Sequence, residues 1–196
     1  DEKAVSVIIH TSGTTGRPKA VMLRSDSLTN SIYFTNAKFE VGVDDAAMAV
    51  TNYSHDMSLY DMFGMMSAGG RIVLPQEKNA RDPEYWLELM KEYRPTIWNS
   101  VPAMQEMLME AVSDKVTDMA NSLRLIIMGG DYIKPSLLNK IRKVNESVRI
   151  ISTGGPTETT LWNIMHEVVP EDLKSETVPY GKPIANNCYF ILNENM

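Results

Sequence analysis

Short apolar runs alternate with segments of helical periodicity along most of the chain. "SVIIH" (6–10) reads as a buried strand, and "AVML" (20–23) is placed to pair with it across the intervening loop. Ser25 or Asp26 is a candidate cap for a helix from Ser27 to about Phe39. "AMAVT" (47–51) and "RIVLP" (71–75) read as strands on either side of a helical "LYDMFGMMSAG" (59–69). "DPEYWLELMKEY" (82–93) opens with an acidic cap and a proline, whose missing N–H costs nothing in the first turn of a helix. "TIWNSV", "LRLIIMGG" and "VRIIST" supply three further strands, separated by helices at about 103–112 and 135–145. The polar stretch 113–122 reads as a loop or frayed helix end, and Cys188 as a buried residue of a strand "CYFIL".

Strands alternating with helices imply right-handed crossovers, hence an α/β fold with a mostly parallel sheet and helices on both faces. Ligands of such sheets sit beyond the carboxyl ends of the strands. The chemistry is therefore expected in "HTSGTTG", "NYSHD", "NSVP", "GGDY" and "TGGPTE", which follow five of the predicted strands and are rich in polar residues and glycine.

Composition narrows the function. With 43% hydrophobic and 22% charged residues in 196, the chain has the makeup of an ordinary globular protein able to bury a core. A net charge of -6 without a basic cluster argues against nucleic-acid binding. No apolar stretch approaches the roughly 20 residues that span a bilayer, and no signal peptide opens the chain. A single cysteine excludes an internal disulfide and makes a reducing cytoplasm the expected location.

"HTSGTTGRPKA" (10–20) is the densest candidate for chemistry. Glycines let a backbone approach an anion, and successive amides form an anion-binding concavity. Hydroxyls and Lys19 add donors and charge, although a solvated hairpin turn has the same composition. The P-loop, with four residues between its glycines and a lysine straight after, fails on spacing, because Gly13 and Gly16 are too close and Arg17 follows. The dinucleotide fingerprint is absent too.

"TSGTTGRPKA" resembles, at every position, the phosphate loop of adenylate-forming enzymes: acyl-CoA synthetases, luciferases and the adenylation domains of nonribosomal peptide synthetases. "GGPTETT" (154–160) is similar to a second motif of that family, at the family's spacing of roughly 140 residues, and "YGKPIANNCYFILNEN" looks like a third. In the family a carboxylate attacks the α-phosphate of ATP, giving an acyl-adenylate and pyrophosphate. The resemblance implies that Thr11, Ser12, Gly13, Thr14, Thr15, Gly16 and Lys19 hold the β- and γ-phosphates. It also implies that Thr157 contacts the α-phosphate and that Glu158 ligates Mg2+, unless Glu158 is only an acid at a helix start. Gly129, Gly130 and Asp131, with Ser152, Thr153, Gly154 and Gly155, match segments bordering the adenine. Gly154 departs from the pattern, standing where many members have a tyrosine that packs on the base.

"SHDMSLYDMFG" (54–64) looks like a segment of amino-acid-activating domains in which the residue matching Asp56 pairs with the substrate ammonium group; a helix cap is the plainer reading. His55 replaces the usual phenylalanine. The pocket positions of such domains fall on Asp56, Met57, Tyr60, Asn99, Ile127, Gly129, Thr153, Leu161 and Trp162. Their order, D-M-Y-N-I-G-T-L-W, is close to the D-L-Y-N-L-S-L-I-W of cysteine-activating domains. Bulky Tyr60 and Trp162 imply a small pocket, and glycine, serine and alanine stay open, because one missing group discriminates by only about 1–3 kcal/mol. The resemblance further implies a peptidyl carrier domain with its phosphopantetheine thiol, and a condensation or cyclisation domain, as partners. The whole chain is expected to be one partial adenylation domain, lacking the upstream part of the large subdomain and a C-terminal lysine-bearing subdomain, and inactive alone. An aryl- or acyl-acid ligase and a noncatalytic nucleotide-binding domain are the alternatives.

Overall fold

The computed structural model of the chain describes residues 1–11, 17–112 and 122–194. Strands β1 (Val5–Thr11) and β2 (Lys19–Arg24) form an antiparallel hairpin of their own, with Ile8 opposite Met22 and Thr11 opposite Lys19. The main sheet contains β3 (Ala46–Met48), β4 (Arg71–Val73), β5 (Ile97–Ser100), β6 (Leu125–Gly129), β7 (Arg149–Gly154), β8 (Ile164–Glu167) and β9 (Lys182–Pro183). Among the described residues its order is β4-β3-β5-β6-β7-β8-β9, parallel from β4 to β7 and antiparallel beyond.

The helices are α1 (Ser25–Lys38), α2 (Met65–Ala68), α3 (Pro83–Tyr93), α4 (Pro102–Ala111) and α5 (Pro135–Val144). Each of the last three begins with proline, which is preorganised for a first turn. In α3 the expected cap is present, Asp82 accepting the Glu84 N–H at 3.1 Å.

Alternation along the central strands sends neighbours to opposite faces. Trp98, Ile126, Met128 and Ile150 pack with Trp86, Leu108, Leu137 and Leu138 of α3, α4 and α5. Ile97, Leu125, Ile127 and Ile151 pack the other way, with Leu28 and Ile32 of α1, Tyr60, Met65 and Trp162. Both faces are therefore covered, as a parallel sheet requires. None of the described helices is long and apolar enough to cross a membrane.

The amino end of the sheet is tied by charge. Arg124, just before β6, donates through Nε to Asp45 Oδ1 at 2.8 Å and through Nη2 to Asp45 Oδ2 at 2.6 Å, while Thr96 Oγ1 donates to Asp45 Oδ1 at 2.6 Å. Burial pushes the Asp45 carboxyl up, but the bonds from Arg124, Thr96 and the Gly42 N–H outweigh it and hold the group below its usual range. Arg149 and Glu167 join β7 to β8 at the same end, 2.7 Å apart.

The structure corrects several expectations. α1 starts at Ser25 directly from β2, and Asp26 accepts the adjacent Ser27 N–H instead of capping the helix. β3 stops at Met48, since the Val50 N–H turns back to the Met48 carbonyl. The segment before α2 is a π-helical turn, Tyr60–Gly64. β8, whose only buried residue is Met165, carries too little apolar signal to be anticipated. Cys188 is exposed and lies in no strand: "CYFIL" pairs with no ladder among the described residues, so Phe190 and Ile191 face solvent. Residues 12–16, and the predicted loop or frayed end at 113–121, lie outside the described residues. β1 is not part of the parallel sheet, so the carboxyl-end rule does not place the loop after it. β2, its partner in the hairpin, packs against a 3-10 turn, Thr157–Thr159.

Candidate active site

The loops after β3, β6 and β7 meet above the carboxyl end of the sheet around a cavity of about 210 Å³. Asp56, Met57, Gly129, Thr153, Leu161 and Trp162 line it, with Thr157 at its edge. These are six of the nine residues expected around an amino-acid side chain. Tyr60, Asn99 and Ile127 lie behind that wall, fully buried.

The wall is rigid for identifiable reasons. Tyr60 and Trp162 meet with ring centroids 5.2 Å apart. Each has a polar anchor on α1: Tyr60 Oη donates to Asn36 Oδ1 at 3.0 Å, and Trp162 Nε1 donates to Thr35 Oγ1 at 3.0 Å. Thr160 and Leu161 have positive φ, 70° and 50°, which swings Leu161 and Trp162 inward from the Thr157–Thr159 turn. Gly129 keeps the floor close, because a Cβ there would collide with Thr153.

Asp56 is 4% exposed, and its Oδ1 lies 3.0 Å from His55 Nδ1. Burial pushes the carboxyl up, but hydrogen bonds from His55, the Thr157 hydroxyl and the Met57 N–H together hold it below the usual range. The same bond to Asp56 raises the His55 pKa against the opposing effect of burial. The cavity therefore presents an ionised carboxylate at its wall.

Asp61 is the residue that the sequence reading missed. It is completely buried, and burial pushes its carboxyl well above the usual range, which the Asn99 hydrogen bond only partly offsets. Asn99 Nδ2 donates to Asp61 Oδ1 at 3.0 Å and to the Met57 carbonyl at 2.9 Å. Asp61 Oδ2 and Asn99 Oδ1 have no hydrogen-bond partner among the described residues. An acid inside the apolar run "LYDMFGMM" was the available signal.

The residues expected around a nucleotide are brought together in part. Gly129, Gly130, Thr153, Gly154 and Gly155 line the cavity, whereas Ser152 is buried within β7 and Asp131 is exposed, its Oδ1 taken by the Tyr132 N–H. Thr11 and Lys19 face each other at the loop end of the hairpin, and Ser12, Gly13, Thr14, Thr15 and Gly16 are outside the described residues. Glu158 is exposed on the Thr157–Thr159 turn. No group of three His, Cys, Asp or Glu fit to hold a metal occurs among the described residues. A lone carboxylate fits Mg2+, which is commonly held by one or two carboxylates and substrate phosphates.

The described residues thus form a seven-stranded, mostly parallel α/β sheet with a small cavity, bearing the Asp56 carboxylate, above its carboxyl end. The chain belongs to the AMP-binding enzyme family, whose model matches residues 1–196. It is 38% identical over 193 residues to bacitracin synthase 1 of Bacillus licheniformis, covering 97% of this chain and 4% of that protein. It is 34% identical over 187 residues to the anguibactin system regulator of Vibrio anguillarum, covering 95% of this chain and 18% of that protein. The crystal structure of the nonribosomal peptide synthetase FmoA3 bound to α-methyl-L-serine-AMP is similar, with a TM-score of 0.89 at 32% identity, over 99% of this chain and 22% of that one. The chain thus spans less than a fifth of the length of the curated relatives named here.

Proposed function

We propose that this chain carries the binding site of an amino-acid adenylation domain and works as part of a longer peptide synthetase. In the proposed reaction an oxygen of the substrate carboxylate bonds to the α-phosphorus of ATP, the bond to the β-phosphate oxygen breaks, and pyrophosphate leaves. The phosphopantetheine thiol of a carrier domain would then lose its proton and bond to the acyl carbon, the acyl–phosphate bond breaking and AMP leaving.

The observation that carries this reading is Asp56: a buried, ionised carboxylate on the wall of a cavity of about 210 Å³ that also has a glycine-rich side. A buried charge needs a partner, and a substrate ammonium group is one. Thr157, which helps to hold the Asp56 carboxyl below its usual range and lines the same cavity, would orient the reacting carboxylate against the α-phosphate. The hairpin bearing Thr11–Gly16 and Lys19 would hold the β- and γ-phosphates. Glu158 would hold Mg2+, whose charge, when bound, offsets that of the phosphates.

The substrate in this reading is a small amino acid. Trp162, Leu161 and Met57 line the cavity, and Tyr60, Asn99 and Ile127 behind them are fully buried. FmoA3, bound to the adenylate of α-methyl-L-serine, supports a small side chain. Cysteine is the specific assignment, from the resemblance of the nine pocket positions.

ATP–pyrophosphate exchange by the full-length protein tests all of this. Cysteine should give the highest rate, and Asp56→Ala should abolish amino-acid-dependent exchange. A better rate with serine, alanine or glycine would correct the substrate, and stimulation by aryl acids alone would overturn the amino-acid reading.

A further inference from the structure

We propose that Tyr180 is the ring on which the base of the bound nucleotide stacks, taking the place that Gly154 leaves open. The inference rests on the ATP-dependent reading above and adds a binding residue to it.

Gly154 ends β7, opposite Ile164 of β8. A Cβ built on it would run into ring carbons of Tyr180 and come within 3.0 Å of Ile164. The Tyr180 ring thus lies over the glycine backbone, in the space that a side chain at position 154 would otherwise fill. It is no core residue, being 65% exposed.

The ring borders a second hollow, of about 510 Å³, also lined by Gly130, Gly155, Pro156, Ile164 and Tyr189. Gly130, Gly154, Gly155 and Pro156 line the amino-acid cavity as well, so the two hollows share one rim. A ligand reaching from one to the other passes over glycine backbone, which admits a flat group without side-chain obstruction. Aromatic side chains bind bases through their π-faces, and an exposed ring at the carboxyl end of a parallel sheet is well placed to do so.

The position of Tyr180 is fixed from the following residue. Gly181 has φ of 102°, and a Cβ there would overlap the Met165 carbonyl and the His166 amide. With Lys182 paired to Met165, the backbone beside Tyr180 is held hard against β8. On the far side, Tyr189 Oη is hydrogen-bonded to Asn163 Oδ1, which closes the rim. An aromatic ring carried on backbone anchored in this way, and left open to solvent on a hollow, is suited to a planar ligand.

The test is ATP–pyrophosphate exchange by the full-length protein, with KM measured separately for ATP, pyrophosphate and the amino acid. Tyr180→Ala should raise the KM for ATP roughly tenfold and leave the other two within about twofold, since neither pyrophosphate nor the amino acid carries a base. Tyr180→Phe should behave as wild type, because the ring and not the hydroxyl is used. An unchanged KM for ATP in Tyr180→Ala would overturn the stacking role alone. Equal rises in all three constants would also overturn it, showing that Tyr180 supports the fold. No exchange by the wild-type protein with any acid would overturn the ATP-dependent reading, and the stacking role with it.

Discussion

The two ends of the parallel sheet treat buried carboxylates in opposite ways. At the amino end, Asp45 receives the Arg124 guanidinium on both oxygens, together with Thr96 and the Gly42 N–H. At the carboxyl end, Asp61 keeps one oxygen unpartnered among the described residues, and Asp56 has no guanidinium but a half-exposed histidine beside it. A charge satisfied from all sides holds strands in register; Asp56, on the cavity wall, can take a further partner, whereas Asp61 is sealed off and kept neutral by burial. The closed polar network thus lies at the end of the sheet away from the cavity, whereas Asp56 lies on the cavity wall.

The sharpest way to break the contrast is to make the amino end resemble the other. Arg124→Ala would strand Asp45 in the interior, and a loss of about 2–3 kcal/mol in urea unfolding is expected, at the low end for a buried pair because Arg124 is partly exposed. Exchange activity per folded molecule should hardly change, and a selective loss of activity would show that the two ends are coupled. The converse change is Asp61→Asn. Because the folded Asp61 pKa is raised, the contribution of its neutral form is fully present below about pH 3.9 and is lost as pH rises toward the folded value. The variant should therefore gain about 1–2 kcal/mol over wild type at pH 7, with the difference vanishing in acid. A difference independent of pH would contradict a protonated Asp61.

Two smaller effects refine the comparison. Arg149→Ala removes the partly exposed pair with Glu167 and should cost about 0.2–1 kcal/mol, less in high salt. The Arg149 hydrogen bond holds the Glu167 pKa down, so the contribution of this pair is present above about pH 4.3 and lost as pH falls through the lower folded value. His55 runs the other way. Its folded pKa is raised, so its pairing with Asp56 contributes fully below about pH 6.5 and is lost as pH rises through the folded value. His55→Phe should flatten that part of the stability profile by less than about 1 kcal/mol, and an unchanged slope would dissociate His55 from Asp56.

What the sequence discloses differs between the two ends as well. Central strands and the proline-started helices are legible because burial of both sheet faces leaves long apolar runs, and because proline marks a first turn regardless of context. The cavity lining was legible where motif spacing carried it, as with Asp56, Gly129, Thr153, Leu161 and Trp162. The Asp45–Arg124 pair joins residues far apart in the chain, and neither sits in a motif. β8 is held by its ladder to β7 and not by apolar content, so its pattern alone says little. "CYFIL" failed in the reverse sense: its composition favours a strand, but β-propensity expresses itself only against a neighbour.

The π-helical turn at Tyr60–Gly64 bears on attempts to redesign this pocket. A π turn carries one residue more than an α turn, and here it allows the consecutive residues Tyr60 and Asp61 both to be buried. Gly64 is needed beneath it, because a Cβ there would press to 2.7 Å from the Tyr60 ring. Transplanting the nine pocket side chains onto a relative with an ordinary α turn would rotate Tyr60 away from Trp162 even with every side chain copied. The transferable unit of specificity is therefore the turn with its glycine, and a graft that carries it should preserve the shape of the pocket better than one that carries the side chains alone.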